Sequence, residues 1–152
     1  MADVEITVMT PTHIGEVHEI SLSSFPVSWS REDLLKEVYS DNSLNLVALE
    51  GGRVSGYINI WYVYDEADVI NVAVREDSRK RGTGRKLMLE AIARLIDKGI
   101  TDIYLEVRVS NLPAQRLYSS LGFATIGVRR KYYSNGEDAY NMHLDIKAEK
   151  PR

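Results

Sequence analysis

The sequence predicts an α+β domain in three layers, with about four helices flanking a mixed, mostly antiparallel sheet of about seven strands. Three observations carry this. Gly51-Gly52 and Ser134-Asn135-Gly136 each separate two strand-like runs, the pattern of hairpins. Two helical stretches follow strand-like runs at 69–74 and 103–109, the pattern of crossovers. The chain has 152 residues, close to the ~150 expected of one domain. It reads as a single domain over 1–147 with a charged tail at 148–152.

Each element follows from local pattern. Val4–Val8 alternates with period two and reads as a strand. Ile14, Val17 and Ile20 recur at helical spacing, predicting a helix over 12–24 that stops at Phe25-Pro26, because a residue before proline avoids helical geometry. Ser30-Arg31-Glu32-Asp33 forms a capping box that starts a second helix, with Leu34, Leu35 and Val38 inward. Strands are expected at 46–50, 53–63 and 69–74, the last so apolar that both faces should be covered. From Gly84 to Lys98, Leu87, Met88, Ala91, Ile92, Leu95 and Ile96 form one stripe, closed by Gly99. A strand over 103–109 sets apolar Ile103, Leu105, Val107 and Val109 against polar Tyr104, Glu106 and Arg108. Asn111-Leu112-Pro113 opens a helix that Gly122 ends, and strands at 123–130 and 139–146 close the fold.

Composition removes several chemistries. The absence of cysteine excludes disulfides, thiol nucleophiles and thiolate metal sites, and three scattered histidines suggest no metal cluster. No secretory signal opens the chain, and no apolar run approaches the ~20 residues that span a bilayer, so a cytoplasmic protein with no membrane partner is expected. The net charge of -3 argues against general nucleic-acid binding, although Arg129-Arg130-Lys131 is a basic triplet. Charge is unevenly placed: residues 1–70 hold 3 basic and 12 acidic side chains, and residues 71–152 hold 16 and 10. Such polarity suits an anionic ligand on one side and a cationic one on the other, or is solvated charge that clusters by chance.

Arg79-Lys80-Arg81-Gly82-Thr83-Gly84-Arg85-Lys86 places five cations and two glycines between a strand and a helix. Cations oppose the positive end of a helix dipole, so the stretch calls for an anion such as a pyrophosphate. It matches neither a Walker loop nor a dinucleotide-binding glycine pattern.

Arg79-x-x-Gly82-x-Gly84 after Val72-Ala73-Val74 resembles the acetyl-CoA motif of the GNAT N-acetyltransferase superfamily. Asn111-x-x-Ala114-x-x-Leu117-Tyr118-x-x-Leu121-Gly122-Phe123 resembles that superfamily's second signature. Tyr132-Tyr133-Ser134-Asn135-Gly136-Glu137-Asp138-Ala139 is similar to the RimI-type protein N-terminal acetyltransferases, which act on a ribosomal protein beginning with alanine. The resemblance covers nearly the whole chain and implies a GNAT-like fold with acetyl-CoA as co-substrate and no metal.

It also implies roles. Val72, Ala73 and Val74 would bind the pantetheine and acetyl carbonyl, and Arg79, Lys80, Arg81, Gly82, Thr83, Gly84 and Arg85 the pyrophosphate. Asn111 would touch the pantetheine, cap its helix, or both. Glu106 corresponds to the general base, or is a surface carboxylate paired with Arg108. Tyr118 corresponds to the proton donor to the leaving thiolate, or packs beside Leu117 and Leu121. Phe25, Pro26, Tyr132 and Tyr133 would line the peptide entrance, although the two tyrosines would equally serve as packing. Archaeal and eukaryotic relatives carry Leu-Pro-Glu where this chain has Phe25-Pro26-Val27, which removes a second candidate carboxylate. His143 is a substitute base or a structural residue.

The function implied is acetyl transfer from acetyl-CoA to the free N-terminus of a protein, a ribosomal protein starting with alanine being the indicated partner. Two alternatives remain: a small-amine acceptor such as a polyamine or an aminoglycoside, and a non-catalytic CoA-binding module.

Overall fold

A computed structural model describes residues 3–149. The order is β1 (Val4–Val8), α1 (Ile14–Ser24), α2 (Arg31–Tyr39), β2 (Ser43–Glu50), β3 (Arg53–Val63), β4 (Glu66–Val74), α3 (Thr83–Asp97), β5 (Asp102–Arg108), α4 (Leu112–Ser120), β6 (Ala124–Arg129), β7 (Ala139–Asp145) and a short α5 (Ile146–Glu149). The seven strands form one sheet in the order β1-β2-β3-β4-β5-β7-β6, antiparallel except for β4 beside β5.

Two apolar clusters lie on opposite faces of this sheet. Val17, Ile20 and Leu34 of α1 and α2 pack on Val47, Tyr57 and Ala73. Leu87, Met88 and Leu95 of α3 and Tyr118 of α4 pack on Leu46, Ile58, Leu105 and Met142. Successive strand residues therefore feed different layers, as a period of two requires.

Several boundaries differ from the sequence reading. β2 starts at Ser43 rather than Leu46, because Asn45 is buried by bonding: its Nδ2 donates to the Glu37 carbonyl at 2.9 Å, and its Oδ1 accepts from Asn59 at 2.7 Å. β4 starts at Glu66 and is only half-buried from Val69 to Val72, not covered on both faces. The turn at Ser134-Asn135-Gly136 sits within a longer loop, 130–138, rather than forming a tight hairpin. α5 carries no signal in the sequence reading and takes in part of the proposed charged tail, whose residues 150–152 lie outside the described residues.

The feature that positions the site is a parting of strands. β4 and β5 pair from Glu66–Asp102 only as far as Val69–Leu105. A bulge at Asn59/Ile60 in the β3–β4 ladder, which leaves Ile70 without an opposite number, turns β4 at that point. Beyond it, β4 at 70–74 and β5 at 106–108 have no strand partner across the gap among the described residues, although the Val74 carbonyl accepts from Arg79 and the Arg108 carbonyl from Gln115.

Candidate active site

The gap opens into a cleft of about 690 Å³. Val72 of β4, Glu106 of β5, Asn111 and Tyr118 of the α4 region, Phe25 and Pro26 after α1, and Tyr132 and Tyr133 after β6 all line it. Eight residues singled out from distant parts of the sequence thus meet at one cavity. Ala73 is buried, and neither it nor Val74 nor the 79–85 loop lines this cleft; the loop leads from the far end of β4 into α3.

Glu106 projects from the polar side of β5. Its Oε1 accepts from Arg129 Nε at 2.9 Å, whereas Oε2 is buried without a hydrogen-bond partner among the described residues. The expected alternative partner, Arg108, is engaged elsewhere: it bonds Glu137 at 3.1 Å and its guanidinium lies 3.9 Å from the Tyr133 ring centroid. Burial pushes the Glu106 carboxyl above the usual range, and the Arg129 guanidinium opposes that shift. The cleft wall therefore holds a carboxylate with one oxygen anchored by Arg129 and the other buried and unpaired among the described residues.

Tyr118 is held by its helix and by the Phe123 ring, 6.0 Å away between centroids. Burial pushes its phenol up to about 12, so the hydroxyl keeps its proton at neutral pH. Packing and proton donation are compatible here, since the ring is buried while the residue still lines the cleft. Asn111 also does what its helix-cap reading required: its side chain accepts from Ala114 N at 3.2 Å.

The glycine loop has the geometry of an anion cradle. Gly82 caps α3 with a φ of 80°, and Lys80 also sits in the left-handed region with a φ of 65°. Helix starts leave N–H groups unsatisfied, and Thr83 adds a buried hydroxyl with no partner among the described residues. Three of the cations support the loop: Arg79 Nε donates to the Val74 carbonyl at 3.2 Å, Arg81 pairs with Glu50 at 3.0 Å, and Arg85 donates to Ser120 Oγ at 2.8 Å. Orphaned donors at a helix start suit a pyrophosphate.

Sequence reasoning missed several contributors. Trp29, in the segment that carries Phe25 and Pro26, stacks on Trp61 at 6.0 Å, and Trp61 Nε1 donates to Glu37 at 2.6 Å. The segment is thereby fastened to β3 and α2. Arg129 was hidden in a basic triplet, and Gly56 in an ordinary strand pattern. His143, the substitute base, instead bonds Asp102 at 2.8 Å and stacks on Tyr104 at 4.7 Å, outside the residues lining the cleft.

A mixed sheet parted between two parallel strands beside a glycine-rich helix start is the fold this chain shares with a solved N-acetyltransferase. The acetyltransferase (GNAT) family model matches residues 14–123, and the chain belongs to that family. It is an acetyl-CoA-dependent N-acetyltransferase. It is 36% identical to a Bacillus subtilis protein over 135 residues, covering 88% of this chain and 89% of the relative. It is 33% identical to the ribosomal protein bS18-alanine N-acetyltransferase of Salmonella typhimurium, covering 93% and 97%. The crystal structure of the Escherichia coli ribosomal-protein-S18-alanine N-acetyltransferase superposes with a TM-score of 0.87 at 32% identity, covering 95% of this chain and 94% of that one.

Proposed function

We propose that this enzyme acetylates the free α-amine of a protein N-terminus, with Glu106 as general base and Tyr118 as general acid. The observation that carries the reading is the convergence of Glu106 and Tyr118 on one cleft whose rims are Phe25-Pro26 and Tyr132-Tyr133. The amine nitrogen attacks the thioester carbonyl, forming the C–N bond. Glu106 takes the proton the nitrogen sheds, directly or through one water. As the C–S bond breaks, Tyr118 gives its proton to the departing sulfur, leaving the acetylated N-terminus and free CoA. An α-amine has a pKa of ~7.7–8.0 against ~10.4 for lysine, so a carboxylate is a sufficient base for N-termini near neutral pH.

Acetyl-CoA would lie along the open edge of β4 at 72–74, its pyrophosphate on the 79–85 loop, with Asn111 beside the pantetheine. Backbone N–H groups of that edge would stabilise the oxyanion. Tyr132 and Tyr133 would hold the peptide backbone. A ribosomal protein beginning with alanine is the substrate favoured by the relatives, and a cytoplasmic setting belongs to the same reading.

The test is acetyl transfer to peptides beginning with Ala, Ser, Met or Glu, each paired with an N-blocked version containing an internal lysine. Transfer confined to free N-termini, with Ala foremost, is expected. Acetyl-CoA binding without transfer to any peptide, but with transfer to a polyamine, would replace the peptide by a small amine.

A further inference from the structure

The basic triplet at the end of β6, Arg129-Arg130-Lys131, has no part in this mechanism, yet its first member turns back onto the base. Arg129 pairs with Ala139 of β7, and Ala139 pairs in turn with Arg108 of β5. The same ladder sets Glu106 opposite Asn141, and Asn141 opposite Gly127. Small residues at 127 and 139 leave room over β7, and the Arg129 guanidinium spans that strand to reach Glu106 Oε1 at 2.9 Å. Its ring neighbour is Tyr132, 5.9 Å from the guanidinium carbon.

The other groups facing Glu106 give it no compensating charge. Asp68 of β4 is a like charge, the Tyr133 phenol is neutral, and Asn141 presents a buried Oδ1 that itself lacks a partner among the described residues. Arg108, on the same strand, is committed to Glu137.

We infer that Arg129 is a positioning residue for acetyl transfer: its bond to Oε1 fixes the direction in which the Glu106 carboxylate faces the cleft where the amine sheds its proton. This rests on Glu106 being the base. A carboxylate turned freely by its χ angles would face the cleft in many directions, whereas one bonded through Oε1 faces it in one. The same cation holds Glu106 in its proton-accepting form against burial and Asp68.

The experiment is the pH dependence of kcat/KM for an alanine-initiated peptide, with wild type, Arg129→Met, Arg129→Lys, Glu106→Gln and the Arg129→Met/Glu106→Gln double variant. Below the amine's pKa the acid limb should have a slope of one, steepening to two where Glu106 also becomes protonated. Arg129→Met is expected to move that break up by about one pH unit and to slow transfer about tenfold near neutrality. Arg129→Lys, which keeps the charge, should restore the break. KM for acetyl-CoA should not change. The double variant should be no slower than Glu106→Gln alone, because Arg129 acts only through Glu106.

An unmoved break in Arg129→Met, or a double variant whose losses multiply, would overturn the inference while leaving the base intact. Wild-type turnover by Glu106→Gln would instead remove the base assignment, and this inference with it.

Discussion

Gly56 of β3 lies against the backbone of Ala73 on β4: a β-carbon at position 56 would stand 2.9 Å from the Ala73 carbonyl oxygen and 3.2 Å from Leu87 Cδ1. The first contact is with backbone, so β4 itself must move to relieve it. Ala73 belongs to the edge on which acetyl-CoA is proposed to lie. Gly56→Ala is therefore expected to cost about 1–3 kcal/mol, lowering the thermal midpoint by roughly 3–10 °C, and to weaken acetyl-CoA binding as well. Differential scanning calorimetry and titration calorimetry on the same variant check both halves.

Gly84→Ala should behave oppositely. A β-carbon there meets Leu117 at 3.7 Å and Val74 at 3.9 Å, ordinary contacts, and the position is in the first turn of α3. Alanine favours the helix by up to about 1 kcal/mol, so the thermal midpoint should hold or rise. On the proposed placement of the pyrophosphate beside this turn, the added methyl group is expected to raise KM for acetyl-CoA with little change in KM for peptide. An unchanged KM for acetyl-CoA would show that the ligand does not approach α3 at Gly84.

Glu106→Gln keeps the side chain's size and can still meet Arg129, but its amide accepts no proton. The expected loss in kcat is about 10²–10⁴-fold, with acetyl-CoA binding intact by titration calorimetry. A loss below threefold would require another base.

Tyr118→Phe preserves the ring that packs on Phe123 and removes the donated proton. A fall in kcat of about 10²-fold is expected, without loss of stability. Since the phenol is held up to about 12, it should stay protonated through about pH 10, and the wild-type rate should show a plateau above the amine's pKa. A basic limb between about pH 8 and 10 that disappears in Tyr118→Phe would place the phenol's ionisation far lower.

The fold was readable because its elements carry strong local signals. Ser30 accepts from Asp33 N at 3.1 Å, as the capping pattern required, and Leu87, Met88, Ala91 and Leu95 are buried along one face of α3. Helix-like and strand-like periods alternate without conflict, so the order of every element but the short α5 could be written down from periodicity together with cap and turn signals. The site was readable only through motifs. Nothing local in Arg129 distinguishes it from Arg130, because its role depends on β7 lying between β6 and β5, a pairing fixed by the whole sheet. Gly56 is silent for a related reason: what excludes a side chain there is the close approach of Ala73, Leu87 and Thr83, brought together from β4 and α3. The extra residues of β2 escaped notice because Asn45 is polar, and its burial is made tolerable by Asn59, 14 positions away.

The separation of β4 from β5 after Val69 and Leu105 leaves the last residues of β4 paired on one edge only, to β3. A pantetheine arm laid along β4 would act as the missing neighbour, so substrate and scaffold would share one set of bonds. Any ligand bound only by the folded state stabilises it, by ~2.7 kcal/mol at a hundredfold excess over Kd. Acetyl-CoA would thus hold the two halves of the parted sheet together as well as serve as the acetyl donor, and its saturation should raise the thermal midpoint.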